Sequence, residues 1–189
     1  MRRMTWDLTP KRVADSQVTL TQLMEITDAN IAGHVHGGVV MRLVDTAAGL
    51  AAIRHAAGLA VTVAIDEMTF LEPVLIGDML VLLASVNAVG TTSMEVGVRV
   101  ESHDPVTGRM RHVNSAYLVY VAVDEDGHPR PVPPLLVETD VERHRQHESS
   151  LRREARLAHK QAVEAARAAE GSPTDHAGPE PSGATADPS

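Results

Sequence analysis

The sequence contains no cysteine, which excludes a disulfide framework, a thiolate metal site and a cysteine nucleophile. Aromatic residues are nearly missing too: one Trp, one Phe and two Tyr among 189 residues. That rules out the stacking platforms of single-stranded nucleic-acid binders. Positive charge is in deficit, with a formal net charge of −8, so nucleic acid and anionic membrane surfaces are poor partners. No run approaches the roughly 20 apolar residues of a membrane helix. Arg2 and Arg3 near the start have no apolar segment behind them and do not read as a secretory signal. These absences together predict a soluble cytoplasmic protein.

What remains is 43% hydrophobic, enough for a core of Ala, Val, Leu and Met in one domain with an appendage. Composition divides the chain into an N-terminal extension (1–15), a folded domain (16–139), a charged helix (140–170) and a tail (171–189). The tail has no Leu, Ile, Val, Met or aromatic residue, so nothing in it offsets the entropy of ordering, and disorder is expected. The 140–170 segment is rich in Ala, Glu and Arg and holds no Pro or Gly. Pro129, Pro131, Pro133 and Pro134 before it read as an extended connector.

Within the domain, Gly37 to His55 reads as one long helix, apolar on nearly all sides and therefore expected to be buried. Strands are expected over Gln17–Ile26, Val61–Phe70, Met79–Val89 and Val113–Val123. Thr92, Met94, Val96, Val98 and Val100 alternate with polar or small residues, the cleanest period-two pattern in the chain. Gly90-Thr91 joins that strand to the one before it, and His103–Gly108 reads as a turn. The expected fold is α+β: one long central helix wrapped by a curved antiparallel sheet of about five to six strands. A single sheet around a single helix leaves strand edges and a helix flank open, and oligomerisation is the usual remedy.

The segment from Asn30 to Asp45 holds the candidate chemistry. Gly37 and Gly38 open the helix, where unpaired N–H groups and the helix dipole suit an oxyanion or a polarised carbonyl. Asp45 lies about two turns further, on a face of small residues with Gly38, Met41, Ala48, Gly49 and Ala52. Buried there, its carboxylate would gain basicity and could activate water or attack directly. The structural alternative is an acid paired with Arg42, Arg54 or a base of a partner subunit. His34 and His36 form an H-x-H pair. With no cysteine and no third ligand in view, a place for one of them at a pocket mouth is expected and no metal. Asn30 could donate to a carbonyl or serve as an ordinary turn residue.

Asn30, Gly33, His36-Gly37-Gly38, Met41 and Asp45 together resemble the hotdog-fold acyl-CoA thioesterases, above all the bacterial single-hotdog relatives of the brain acyl-CoA hydrolase. The resemblance continues through Val61–Val74, Ile76-Gly77-Asp78, Gly90–Val96, Tyr120–Asp124 and Pro131-Val132-Pro133. It implies hydrolysis of acyl-CoA to free fatty acid and CoA, with no cofactor, since coenzyme A is part of the substrate. It implies Asp45 as general base or nucleophile, the backbone at Gly38 polarising the thioester, and Asn30 supplied by the facing subunit. It implies a homo-oligomer, a dimer at least and a hexamer as trimer of dimers.

The same resemblance puts His36, Gly37, Arg54, Thr91, Thr92 and Ser93 at the substrate. In the family an arginine usually stands at the position of Thr91. Contacts to the CoA phosphates therefore pass to other cations, with Arg54, Arg152, Arg153, Arg156 and Lys160 as candidates. The last four could form a basic stripe on the charged helix or simply a solvated face. Two other functions fit a hotdog domain. One is an acyl-CoA sensor without turnover, which would not need Asp45. The other is an enoyl-CoA hydratase pairing His36 with Asp45.

Overall fold

The computed structural model describes residues 6–170. Residues 171–189, expected to form a disordered tail, and the first five residues of the N-terminal extension lie outside that range. Two strands at the N-terminal side, β1 (Lys11–Arg12) and β2 (Val18–Leu23), flank the single-turn helix α1 (Val13–Ser16). The long helix α2 follows (Gly37–Ala56). Four long strands come next: β3 (Ala60–Phe70), β4 (Met79–Val89), β5 (Ser93–His103) and β6 (Met110–Ala122). Strand β7 (Leu135–Leu136) and helix α3 (Asp140–Glu170) close the described chain.

The main sheet has five antiparallel strands in the order β2-β4-β5-β6-β3, with α2 laid across one face. The short β1 and β7 pair in parallel. The predicted hotdog architecture is therefore the one observed. Alternation decides which side of β5 meets α2: Met94, Val96, Val98 and Val100 are all buried. On α2, Val40, Leu43, Val44, Ala47, Ala48, Ala51, Ala52 and Ala56 are buried against the sheet.

The helix is not buried on all sides, contrary to expectation. Met41, Leu50 and Ile53 are 38–45% exposed, as are Val61, Val63 and Ile65 on the edge strand β3, at 47–54%. The physical reason is geometric: one sheet can cover only one side of a helix, so the opposite stripe has no cover within the chain. The first strand is also shorter than expected. After Leu23 the chain turns off, with Met24 N–H bonded to the Asp78 carbonyl and Gly77 N–H to the Met24 carbonyl.

Both ends of α2 are tied. Lys11 Nζ donates to the carbonyls of Arg54 (3.1 Å) and His55 (2.9 Å), where the negative end of the helix dipole favours a cation. The described chain divides into two compact units, one running through Arg153 and the other from Glu154 onward. Helix α3 starts in the first with a capping box: Thr139 Oγ1 accepts from Glu142 N–H, and Glu142 Oε2 accepts from Thr139 N–H. Also within the first unit, Arg152 meets the buried Glu95 carboxylate at 2.7 Å and stacks over Tyr117 at 3.6 Å.

His55 is fully buried on α2, with its Nε2 2.9 Å from the Pro133 carbonyl and its Nδ1 without a partner among the described residues. Burial lowers its pKa, so the folded chain refuses a proton that the unfolded chain accepts below about pH 6.5. The stability this residue contributes is present above pH 6.5 and is lost as pH falls below it. Thermal midpoints measured from pH 7.5 down to 5 are expected to fall more steeply for the native chain than for His55→Leu.

Candidate active site

The site is assembled from the start of α2 outward. Asn30 begins a tight loop in which its Oδ1 accepts from the N–H groups of Ala32 (2.8 Å) and His34 (3.2 Å). Gly33, at φ 78°, supplies the left-handed residue that the loop requires, and its N–H bonds to the Asn30 carbonyl. Asn30 is thus a turn residue as well as a candidate donor, and its Nδ2 has no partner among the described residues.

His36 is the N-cap of α2, and its Nδ1 accepts from Gly38 N–H at 2.9 Å. The Gly38 donor that sequence offered to a thioester is therefore already engaged within the chain. To accept that bond, the imidazole must be neutral with its proton on Nε2. Gly37 N–H, at the helix start, has no hydrogen-bond partner among the described residues, and a Cβ at Gly37 would lie 3.7 Å from the Phe70 ring. Asn30, His34, Gly37, Val40, Phe70 and Val74 line a cavity of about 340 Å³ at this end of the helix.

Asp45 stands about 10 Å further along the axis and is not part of that cavity. Its carboxylate, expected to be buried on a small-residue face open to a ligand or a partner subunit, is exposed in the single chain, because it belongs to the stripe that no sheet covers. Neither Arg42 nor Arg54 pairs with it. Its partners are hydroxyls: Thr62 Oγ1 donates to Oδ1 at 2.7 Å, and Tyr120 Oη lies 2.8 Å from the same oxygen. Oδ2 has no partner among the described residues. Burial above all holds the Tyr120 phenol far above the usual tyrosine range, with the Asp45 carboxylate adding to it and the Thr62 hydrogen bond opposing it. Tyr120 is therefore a donor across any working pH.

Thr62 and Tyr120 were missed by sequence reasoning. Each sits inside a strand of ordinary apolar composition, and only the register that sets Thr62 opposite Tyr120 brings both hydroxyls to one place. A β-bulge follows Thr62 directly, a feature that re-aims side chains.

The remaining predicted residues sit at the other end of α2. Arg54 donates to the Gln17 carbonyl at 2.8 Å. Thr91 and Thr92 form the β4–β5 loop, with their carbonyls held by the N–H groups of Val132 (3.1 Å) and Ala122 (2.9 Å), and Ser93 starts β5. A single chain thus brings Asn30, His36, Gly37 and Gly38 together, and leaves Asp45 midway and Arg54, Thr91, Thr92 and Ser93 apart. Of the expected basic stripe, Arg152 turns inward to Glu95 instead of outward. One group among the described residues has metal-ligand proximity, Asp124, Asp126 and His128. It lies on the turn after β6, where Asp124 Oδ1 already accepts from two backbone N–H groups.

His36→Ala removes the cap of α2 and is expected to cost about 1 kcal/mol of stability. Denaturant unfolding at fixed protein concentration measures it, and His36→Asn, which restores a capping oxygen, is expected to recover most of the loss.

Comparison with known proteins places this arrangement in context. A family model described as the thioesterase superfamily matches residues 32–109. Protein VdlD of Helicobacter pylori is 38% identical over 148 residues, covering 78% of this chain and 84% of that one. A solved apo hexameric acyl-CoA thioesterase is 36% identical with a TM-score of 0.78, covering 80% of this chain and 97% of that one. An acyl-CoA hydrolase from Staphylococcus aureus, solved with butyryl coenzyme A and coenzyme A, is 30% identical with a TM-score of 0.78, covering 86% and 99%. That enzyme has also been solved with an Asp, an Asn or a Thr replaced by alanine. Its Asn precedes its Asp by 15 residues and its Thr follows by 17, the spacing of Asn30, Asp45 and Thr62 here.

Proposed function

Because this chain belongs to the hotdog-fold acyl-CoA thioesterases, we propose a specific division of labour for its hydrolysis of acyl-CoA. Asp45 is the general base. Its free Oδ2 takes a proton from water as the water oxygen attacks the thioester carbonyl. The C–S bond of the resulting tetrahedral adduct then breaks as the carbonyl re-forms, and the proton held on Asp45 passes to the leaving sulfur, giving the carboxylic acid, the CoA thiol and a regenerated carboxylate. The carbonyl oxygen is polarised by the start of α2 at Gly37 and Gly38, once substrate has displaced or shared the His36 contact. Asn30 Nδ2 orients water or carbonyl.

The observation that carries this reading is the state of Asp45: a carboxylate fixed by neutral donors at one oxygen and free at the other. A neighbouring arginine would hold it equally well but would oppose its basicity. The spacing shared with the three alanine variants of the Staphylococcus aureus enzyme supports the same three positions.

The site is proposed to be completed between two copies of the chain. Asn30 and Asp45 do not meet within one copy, and Asp45 lies on the uncovered apolar stripe with Met41, Leu50 and Ile53. A second copy seated there covers the stripe, excludes bulk water from Asp45 and supplies its own Asn30. Assembly into a hexamer is proposed by likeness to the hexameric relative, and no helix among the described residues is long and apolar enough to cross a membrane. A cytoplasmic site of action is the simplest reading of the cysteine-free chain. Arg54, Thr91, Thr92 and Ser93 remain proposed substrate contacts at the far end of α2, where the CoA nucleotide would extend.

Thiol release from acyl-CoA tests the assignment. Asp45→Ala and Asn30→Ala are each expected to lower turnover about a hundredfold or more without loss of assembly. Mixing the two inactive variants, with subunit exchange, is expected to restore about a quarter of native activity. Half of randomly formed dimers are mixed, and each of those has one intact site in two. No recovery on mixing, with exchange verified by mass, would mean that both residues act from the same copy.

A further inference from the structure

Tyr120 is one of only two tyrosines in the chain and is 2% exposed, on the side of β6 that faces α2. Its neighbours on that side, Leu118 and Ala122, are fully buried aliphatic residues. Phenylalanine would fill the same volume, so the hydroxyl needs its own explanation. It ends 2.8 Å from Asp45 Oδ1 and 2.9 Å from the Asp45 main-chain oxygen, sharing its one proton between them. Gly49, one turn beyond Asp45, gives it passage. A Cβ at Gly49 would lie 3.7 Å from Tyr120 Oη, already in van der Waals contact, and a branched side chain would obstruct the phenol.

We propose that Tyr120 is a positioning residue for Asp45: reaching across Gly49, its phenol joins Thr62 in fixing Oδ1, so that only Oδ2 is presented to the attacking water. This rests on Asp45 being the base. A carboxylate on an exposed helix face otherwise samples several rotamers, and two donors on one oxygen select a single one. The donors come from β6 and β3, directly opposite each other in the ladder, and the acceptor comes from α2. The carboxylate is therefore set by the packing of helix on sheet and not by the loop at Asn30.

Tyr120→Phe removes one oxygen and keeps every carbon contact. In the full-length oligomer, with acyl-CoA as substrate, it is expected to lower kcat about ten- to hundredfold, the usual effect of a hydrogen bond to a charged group. KM is expected to stay within about twofold, and the acid limb of the kcat/KM profile to move to higher pH. In an Asp45→Asn background the same change is expected to cost nothing further, because the group it positions is gone. Gly49→Val, which displaces the phenol while retaining it, is expected to give the same kinetic signature, and thermal midpoints establish that each variant is folded. A folded Tyr120→Phe variant with native kcat and an unmoved pH profile overturns the proposal. So does a loss in the Asp45→Asn background as large as in the native chain. Native turnover by Asp45→Asn alone would remove the base assignment itself, and this inference with it.

Discussion

A helix with a largely alanine face can approach a sheet closely, and the rest of this molecule depends on that approach. Ala47, Ala48, Ala51, Ala52 and Ala56 are all buried where α2 crosses the strands. Methyl groups in place of longer side chains bring the helix backbone near enough for a tyrosine on β6 to touch a carboxylate on α2. Larger residues on that face would lift the helix and open the Asp45–Tyr120 contact. Close packing of this kind tolerates little change in volume, so the Asp45–Tyr120 contact inherits the rigidity of the core.

The same packing explains why the opposite side of α2 is left unfinished. One curved sheet encloses one side of one helix. Asp45, Met41, Leu50 and Ile53 therefore face outward beside the apolar edge strand β3. An exposed carboxylate amid exposed aliphatic residues is a poor final state for a monomer and suits the proposed site shared between two copies. A second copy would bury apolar surface, and the low-dielectric surroundings would strengthen every polar contact at Asp45. Under the proposed function, assembly and catalysis would draw on one surface.

Much of the fold was legible because its cues are local. The β4 strand and the α2 start were predicted at their observed limits, since glycines bound them and periodicity changes there. The alternation of β5 named four residues of its buried face, Met94, Val96, Val98 and Val100. The candidate acid and the glycine pair were visible because composition marks them: a lone carboxylate and two adjacent glycines interrupt an apolar helix. Thr62 and Tyr120 carried no such mark. They lie 58 positions apart in sequence, and a bulge shifts the ladder right beside them. A register displaced by one residue would turn both hydroxyls to the other face.

Sequence alone therefore determined the long helix, the long strands, the family and the candidate acid, because propensity, periodicity and motif spacing act along the chain. Tertiary structure alone decided which groups surround that acid. It engaged Gly38 with His36, turned Arg152 to Glu95, and left Asp45 in the open with two hydroxyls on one oxygen. Those choices depend on strand register and on the distance between helix and sheet, which arise only when residues far apart in sequence are packed against each other.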